Sequence, residues 1–343
     1  PWNFAVNLAN TGSRATGRDR LTFAGSHSNV LDLDHQFTGA YTTSIEKTSD
    51  VQQIGLNYRT PLYRLGGVVG ASFTHSKVVG DFGAFRSTGA GQTMGINYSQ
   101  YLPPDGGYRS YVTLGLDDKR FDVSDISGTP IPGQLVRRSR PLSLGYTARV
   151  ESDAAVWGYS TELAANTGGG NGNTLSAYRS EDPRISTANF KLLRANANYL
   201  GGFAGGWLWG VRGQFQYSPD ALISGEQFGL GGASSIRGTG ERPISGDRGV
   251  SVTLEISTPD LHPGLRLLGF VDTGWLRNNN PNGTTKPSSD QLASVGLGLR
   301  YSIGSIGMAA EWGRIVTGSV LAANPAFPKA GDNKFHVSLT ARF

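Results

Sequence analysis

The residues with the most chemistry in this chain lie between Phe228 and Gly249, in the Gly-rich stretch FGLGGASSIRGTGERPISGDRG. Its core is Ile236, Arg237 and Gly238, and it ends on Gly246, Asp247, Arg248 and Gly249. Downstream, Phe270, Asp272 and Gly274 alternate along a strand-like segment. These types suit electrostatic clamping rather than bond breaking. A carboxylate in a partly dehydrated space is costly unless it is paired. An arginine fork can satisfy it with two parallel hydrogen bonds. Glycines beside Arg237 let a loop tip turn tightly and approach a wall. A loop cation followed by a strand carboxylate therefore makes Arg237 and Asp272 a candidate pair, with Glu255 as a second carboxylate nearby. Spacing alone leaves another reading open, in which Arg237 is one more solvated loop charge.

A clamp of this kind needs an interior, and period-two alternation supplies one. Val250, Val252, Leu254 and Ile256 alternate with Ser251, Thr253 and Glu255. Leu265, Leu267, Val271, Thr273 and Trp275 take one face of the next segment, which turns Phe270, Asp272 and Gly274 to the other. Ala293, Val295, Leu297, Leu299, Tyr301 and Ile303 oppose Gly296, Gly298 and Arg300, and the chain closes on Phe335, Val337, Leu339, Ala341 and Phe343. About sixteen such segments follow one another, starting near residues 2, 18, 34, 51, 65, 85, 108, 140, 155, 188, 206, 249, 265, 292, 306 and 335. Each has about ten residues or more, enough to cross a bilayer when tilted.

The connections alternate in length. Short ones carry turn residues, at 60–62, 103–106, 201–202, 259–260 and 303–304, and long ones run over 125–139, 168–187, 219–248, 278–291 and 317–334. All the long ones fall on one side of the count. That asymmetry is the mark of an outer-membrane barrel with short periplasmic turns and long extracellular loops. Composition agrees. Mean hydropathy is −0.27 and no run approaches the roughly 18 apolar residues of a membrane helix. A barrel strand shows lipid only every second residue, so low hydropathy is expected of it. The fold class read from these patterns is all-β: residues 1–343 as one 16-stranded antiparallel transmembrane barrel, its sixth loop folded inward. Trp209, Val252, Leu254, Val295, Leu297, Val337 and Leu339 are expected to face lipid.

Three groups of residues now resemble a known family. Ser235-Ile236-Arg237-Gly238 with Gly246-Asp247-Arg248-Gly249 is similar to the sixth-loop signature of the POTRA-containing barrel superfamily, and the GDRG tail to its two-partner secretion transporters. Phe270-x-Asp272-x-Gly274 matches the superfamily's strand-thirteen motif, and residues 10–17 resemble the family's first hairpin. The resemblance covers the whole chain and implies a bacterial outer-membrane pore. Such a pore exports a haemagglutinin- or haemolysin-like exoprotein, without ATP. It also implies contact between Arg237 and Asp272 inside the lumen. Family members carry a plug helix, a linker and two POTRA domains ahead of the barrel; here residue 2 already reads as strand, so none of these is expected in this chain.

Other classes find little support. The five histidines at 27, 35, 75, 262 and 336 lack metal-ligand spacing. There is no G-x-S-x-G elbow, and Gly168–Asn173 lacks the Lys-Ser/Thr of a phosphate loop. No catalytic residue, metal or cofactor is expected. The net charge of +5 includes no basic run with interleaved aromatics, so nucleic acid is not an expected partner. The expected partners are the exoprotein and outer-membrane lipids around a monomeric barrel. Two alternatives remain: a barrel-assembly insertase working at the seam of the first and last strands, and a diffusion porin. A porin folds its third loop inward, and residues 80–84 read as too short for that. The sixth loop is therefore expected to be the only large object in the lumen, and Arg194, Arg212 and Arg300 to give it weak anion preference.

Overall fold

The computed structural model describes residues 2–87, 89–123 and 131–343. Its strands are β1 (Trp2–Ala9), β2 (Arg20–Val30), β3 (His35–Thr43), β4 (Gln52–Leu62), β5 (Gly67–Ser76), β6 (Gly91–Tyr101), β7 (Tyr108–Phe121) and β8 (Pro141–Glu151). They continue with β9 (Ala155–Asn166), β10 (Lys191–Phe203), β11 (Trp207–Tyr217), β12 (Arg248–Ser257), β13 (Leu265–Arg277), β14 (Ser289–Ile303), β15 (Ile306–Thr317) and β16 (Asn333–Arg342). Each pairs antiparallel with its neighbours in sequence. Arg137–Ser139 pairs with the top of β7 and extends β8 upward, so the seventeen-segment sheet is a barrel of sixteen strands.

The barrel closes where Ala5–Ala9 of β1 pair with Arg342–Ser338 of β16, and Phe4 and Phe343 exchange backbone hydrogen bonds of 3.1 and 2.8 Å. Closure leaves no row of unpaired backbone groups in hydrocarbon, which is what permits strands to span a membrane. Alternation then assigns the faces. Trp209, Leu254, Val295, Leu297, Val337 and Leu339 all point outward and are exposed, and Val252 shares that face. Ser251, Thr253, Asp272 and Ser294 point inward and are buried.

The strand count and loop asymmetry agree with the sequence pattern, and several boundaries move. Thr60, Pro61 and Leu62 still belong to β4, so that turn is at 63–66; Gly201 and Gly202 still belong to β10. Phe85 does not open β6. It lies in a small hairpin, Gly80–Phe82 with Phe85–Ser87, inside the third loop over 77–90. Part of the expected 125–139 loop, residues 125–130, lies outside the described residues. Above the barrel the fifth loop holds a short helix, Leu175–Arg179. Tyr178, Ile185 and Phe190 of this loop share an apolar core with Leu222 and Ile223 at the base of the sixth loop. That core fixes where the sixth loop leaves β11 and turns back down.

Candidate functional site: the lumenal clamp of the sixth loop

The sixth loop, 218–247, enters the lumen as a narrow ribbon in which Phe228–Leu230 pairs with Ile244–Gly246. Apolar side chains hold the ribbon to the wall: Phe228, Leu230, Ile236 and Ile244 pack with Leu276 of β13, Leu292 of β14 and Ile315 of β15. Gly274 is needed because a Cβ there would lie 2.5 Å from a methyl of Leu230. At the tip Gly238 has φ +96°, a conformation that a side chain disfavours, and sits against the backbone of Gly313 on β15.

These contacts deliver Arg237 to a row of carboxylates. Its Nε and Nη2 donate to the two oxygens of Asp272 at 2.9 and 2.8 Å, and its own backbone N–H donates to the same carboxylate at 3.0 Å. Nη1 donates to Glu255 and to Glu311, both at 3.1 Å. The guanidinium carbon lies 3.4 Å from the centre of the Phe270 ring, a cation–π contact that covers its open face. Arg237 is 1% exposed and Asp272 is not exposed at all, which makes this a desolvated pair rather than a surface one. Burial disfavours the charged guanidinium, but hydrogen bonding and attraction from Asp272, then Glu311, outweigh it and raise the Arg237 pKa. Arg300 of β14 completes the network, donating to Glu255 at 2.6 and 3.0 Å and to Glu311 at 3.0 Å. Of the two readings left open for Arg237, the structure shows the paired one.

Glu311, Arg300 and His336 are the members that the loop motif does not reveal. The Gly238 N–H donates to His336 Nε2 at 3.1 Å, so the histidine caps the turn. All three occupy inward positions of their strands, which was the available signal. Register alone decides which inward residues share a level. The GDRG tail works elsewhere, at the loop base. Asp247 is fully buried and accepts from the backbone N–H of Leu222 and of Asn279, at 2.9 and 2.8 Å. Arg248 donates to Ser218 O at 2.9 Å and lies over Tyr217. A Cβ on Gly249 would strike the ring of Phe228, and one on Gly246 would crowd Leu276.

A second ionic centre lies at that base. Glu226 is 1% exposed, with Lys119 Nζ at 3.1 Å, Arg194 at 2.8 Å and a hydrogen bond from Ser139 at 2.8 Å. Burial pushes its carboxyl up, yet Lys119 and Arg194 pull harder and hold it at about 2. Arg194 and Arg300 are lumenal but paired with acids, which weakens the basis for the anion preference expected of them; Arg212 lies opposite the inward Thr253 and faces the lumen. Among the described residues no cluster of histidines and carboxylates has the arrangement of a metal site. Residues 10–17, similar to the family's first hairpin, lie in the first surface loop, where Arg20 donates to the carbonyls of Thr16, Gly17 and Asp19.

Comparison with known proteins agrees with this geometry. Residues 1–301 match the family described as haemolysin secretion/activation protein ShlB/FhaC/HecB. The chain belongs to that family. It is 24% identical over 309 residues to the outer membrane transporter CdiB of Dickeya dadantii, covering 84% of this chain and 52% of the relative. The CdiB of Escherichia coli is also 24% identical, over 314 residues, with 89% and 52% covered. The chain therefore spans about half the length of the curated relatives it matches. Among solved structures, CdiB from Escherichia coli superposes with a TM-score of 0.80 at 20% identity, over all of this chain and 63% of that one. BamA from Haemophilus ducreyi superposes at 0.63 and 13% identity, over all of this chain and 70% of that one, a likeness of fold. The chain is the barrel of a two-partner secretion transporter in the bacterial outer membrane.

Proposed function

We propose that this barrel is the conduit by which a large, unfolded exoprotein of haemagglutinin or haemolysin type crosses the outer membrane. Movement needs no ATP, because folding at the surface makes return unfavourable. The observation that carries the reading is the sixth loop, held inside the lumen by Arg237 on Asp272, Glu255 and Glu311. A permanent fixture would not need charges. Apolar packing of equal volume is commonly as stable as a buried ion cluster, whereas charges specify one geometry and are lost together when it breaks. The loop therefore acts as a positioned element of the pore, with Arg237–Asp272 setting its place. Ile236, Gly238, Phe270 and Gly274 shape the contact. Gly246, Asp247, Arg248 and Gly249 anchor the loop base, and the barrel works as a monomer in outer-membrane lipid.

The test is co-expression of the full-length transporter with the neighbouring exoprotein gene, scoring release into the medium. Arg237→Ala is expected to cut release strongly while heat-modifiable barrel remains in the outer membrane. Normal release from that variant would remove the role given to the clamp.

A further inference from the structure

The third loop contradicts the reading of residues 80–84 as too short to turn inward, and the sixth loop is not alone in the lumen. The hairpin tip at Gly83 lies against the inner wall, where a Cβ would be 2.8 Å from Ala40 Cβ and 3.8 Å from Ala24 Cβ. The ring of Phe85 covers Gly55 so closely that a Cβ there would come within 2.3 Å of it. Ala24, Ala40 and Gly55 are register partners on β2, β3 and β4, so they form one level row at inward positions. An open lumen sets no upper limit on side-chain size at such positions. Three small residues in one row leave a shallow shelf, and the hairpin fills it. Its descending arm is fastened at the rim, where the Lys77 N–H donates to Gln52 O and the side chains of Gln53 and Ser76 donate to Val78 O.

We propose that the third loop is a second obturating element of the pore, seated on the Ala24–Ala40–Gly55 shelf, on a different arc of the wall from the Arg237 clamp. The two loops divide the wall between them. The sixth rests on β12 to β16, and the third on β2 to β4. They face each other across two cavities. One, of about 60 Å³, lies between Val79–Asp81 and Ala233, Ser234 and Glu241. The other, of about 280 Å³, lies between the same hairpin and Glu226 to Gly229. Withdrawing the sixth loop alone leaves the hairpin inside, so full opening needs both to move. The shelf admits the hairpin by shape, so its occupancy responds to side-chain volume at Ala24, Ala40 and Gly55. The inference rests on the reading of this barrel as an export pore.

A cysteine pair tests it, because the chain has no cysteine of its own. The Cβ separation of 3.8 Å between positions 83 and 24 lies inside the disulfide range. Gly83→Cys with Ala24→Cys, in an Ala40→Gly background that relieves the 2.8 Å approach of the new Cβ to Ala40, oxidised in the inserted barrel, is expected to crosslink and to lower conductance in planar bilayers. Reduction should restore it, a change of roughly twofold for a wide aqueous lumen. Gly55→Leu should displace Phe85, abolish the crosslink and raise unitary conductance by about the same factor. Absence of the crosslink in inserted, heat-modifiable protein would overturn the proposal. So would equal conductance in the oxidised and reduced states. If Gly55→Leu does not insert, the oxidised and reduced forms of the cysteine pair still decide the matter within one polypeptide. Export by the full-length transporter is scored separately. A conductance change without any export would count against the export reading and leave the hairpin's seat established.

Discussion

Arg237 serves three carboxylates at once because a planar fork presents donors along several edges, which an ammonium cannot do. Removing it leaves Asp272 buried without its cation, at a cost of about 3–5 kcal/mol for a desolvated pair. Arg237→Lys keeps the charge but loses the bidentate contact. It is expected to behave closer to Arg237→Ala than to the parent in release of exoprotein, and rescue to parental levels by Lys would show that charge alone suffices. Glu226 gives a pH test at the loop base. Its folded pKa is depressed from 4.5 to about 2, so it contributes stability above pH 4.5 that is lost as pH falls through about 2. Amide exchange at 222–228 should accelerate between those limits. Glu226→Gln should remove that acid-dependent step, and an unchanged profile in the variant would place the titration elsewhere.

At the scale of elements, each strand is read twice, once by lipid and once by the lumen. Leu254 is 50% exposed on the outer face, whereas Thr253, one residue away, is buried on the inner. Leu254→Arg near the midplane is expected to cost about 2–4 kcal/mol in urea unfolding from lipid vesicles. Thr253→Arg should cost far less and alter conduction instead. Equal losses of stability at both positions would contradict the two-faced wall. The sixth loop depends on the same alternation. Leu230 and Ile236 pack on Leu276, Leu292 and Ile315, inward side chains of three strands, so its apolar seat is made by strands distant in sequence.

For the whole molecule, the lumen is a wide, polar tube obstructed from two arcs of its wall. This barrel should conduct ions in planar bilayers with brief or partial openings. Deleting residues 234–241 should enlarge them without abolishing the contribution of the third loop. Ion preference should be weaker than the inward arginines suggest, since Arg300 is matched by Glu255 and Glu311, and Arg194 by Glu162 and Glu226. Arg212 is the inward cation to change. Arg212→Glu is expected to shift the reversal potential toward cation selectivity in a salt gradient, and no shift would mean that Arg212 does not face the ion path.

The barrel was legible in the sequence because its causes are local. Lipid and water select opposite side chains at successive residues, and turn chemistry punctuates them, so Val250 to Ile256 or Leu292 to Ile303 declare their faces unaided. The inward parity of Asp272 and Glu255 came from the same rule, and the resemblance of the sixth-loop motif supplied their partner. Local pattern does not contain register. That Asp272 on β13, Glu311 on β15 and His336 on β16 reach one loop tip depends on strand stagger around a closed sheet. That Ala24, Ala40 and Gly55 form one row depends on pairing across three strands. Small residues on a strand look unremarkable one at a time. Only the register of β2, β3 and β4 placed them side by side, and only then did the length of the third loop suffice to bring Gly83 and Phe85 down onto them.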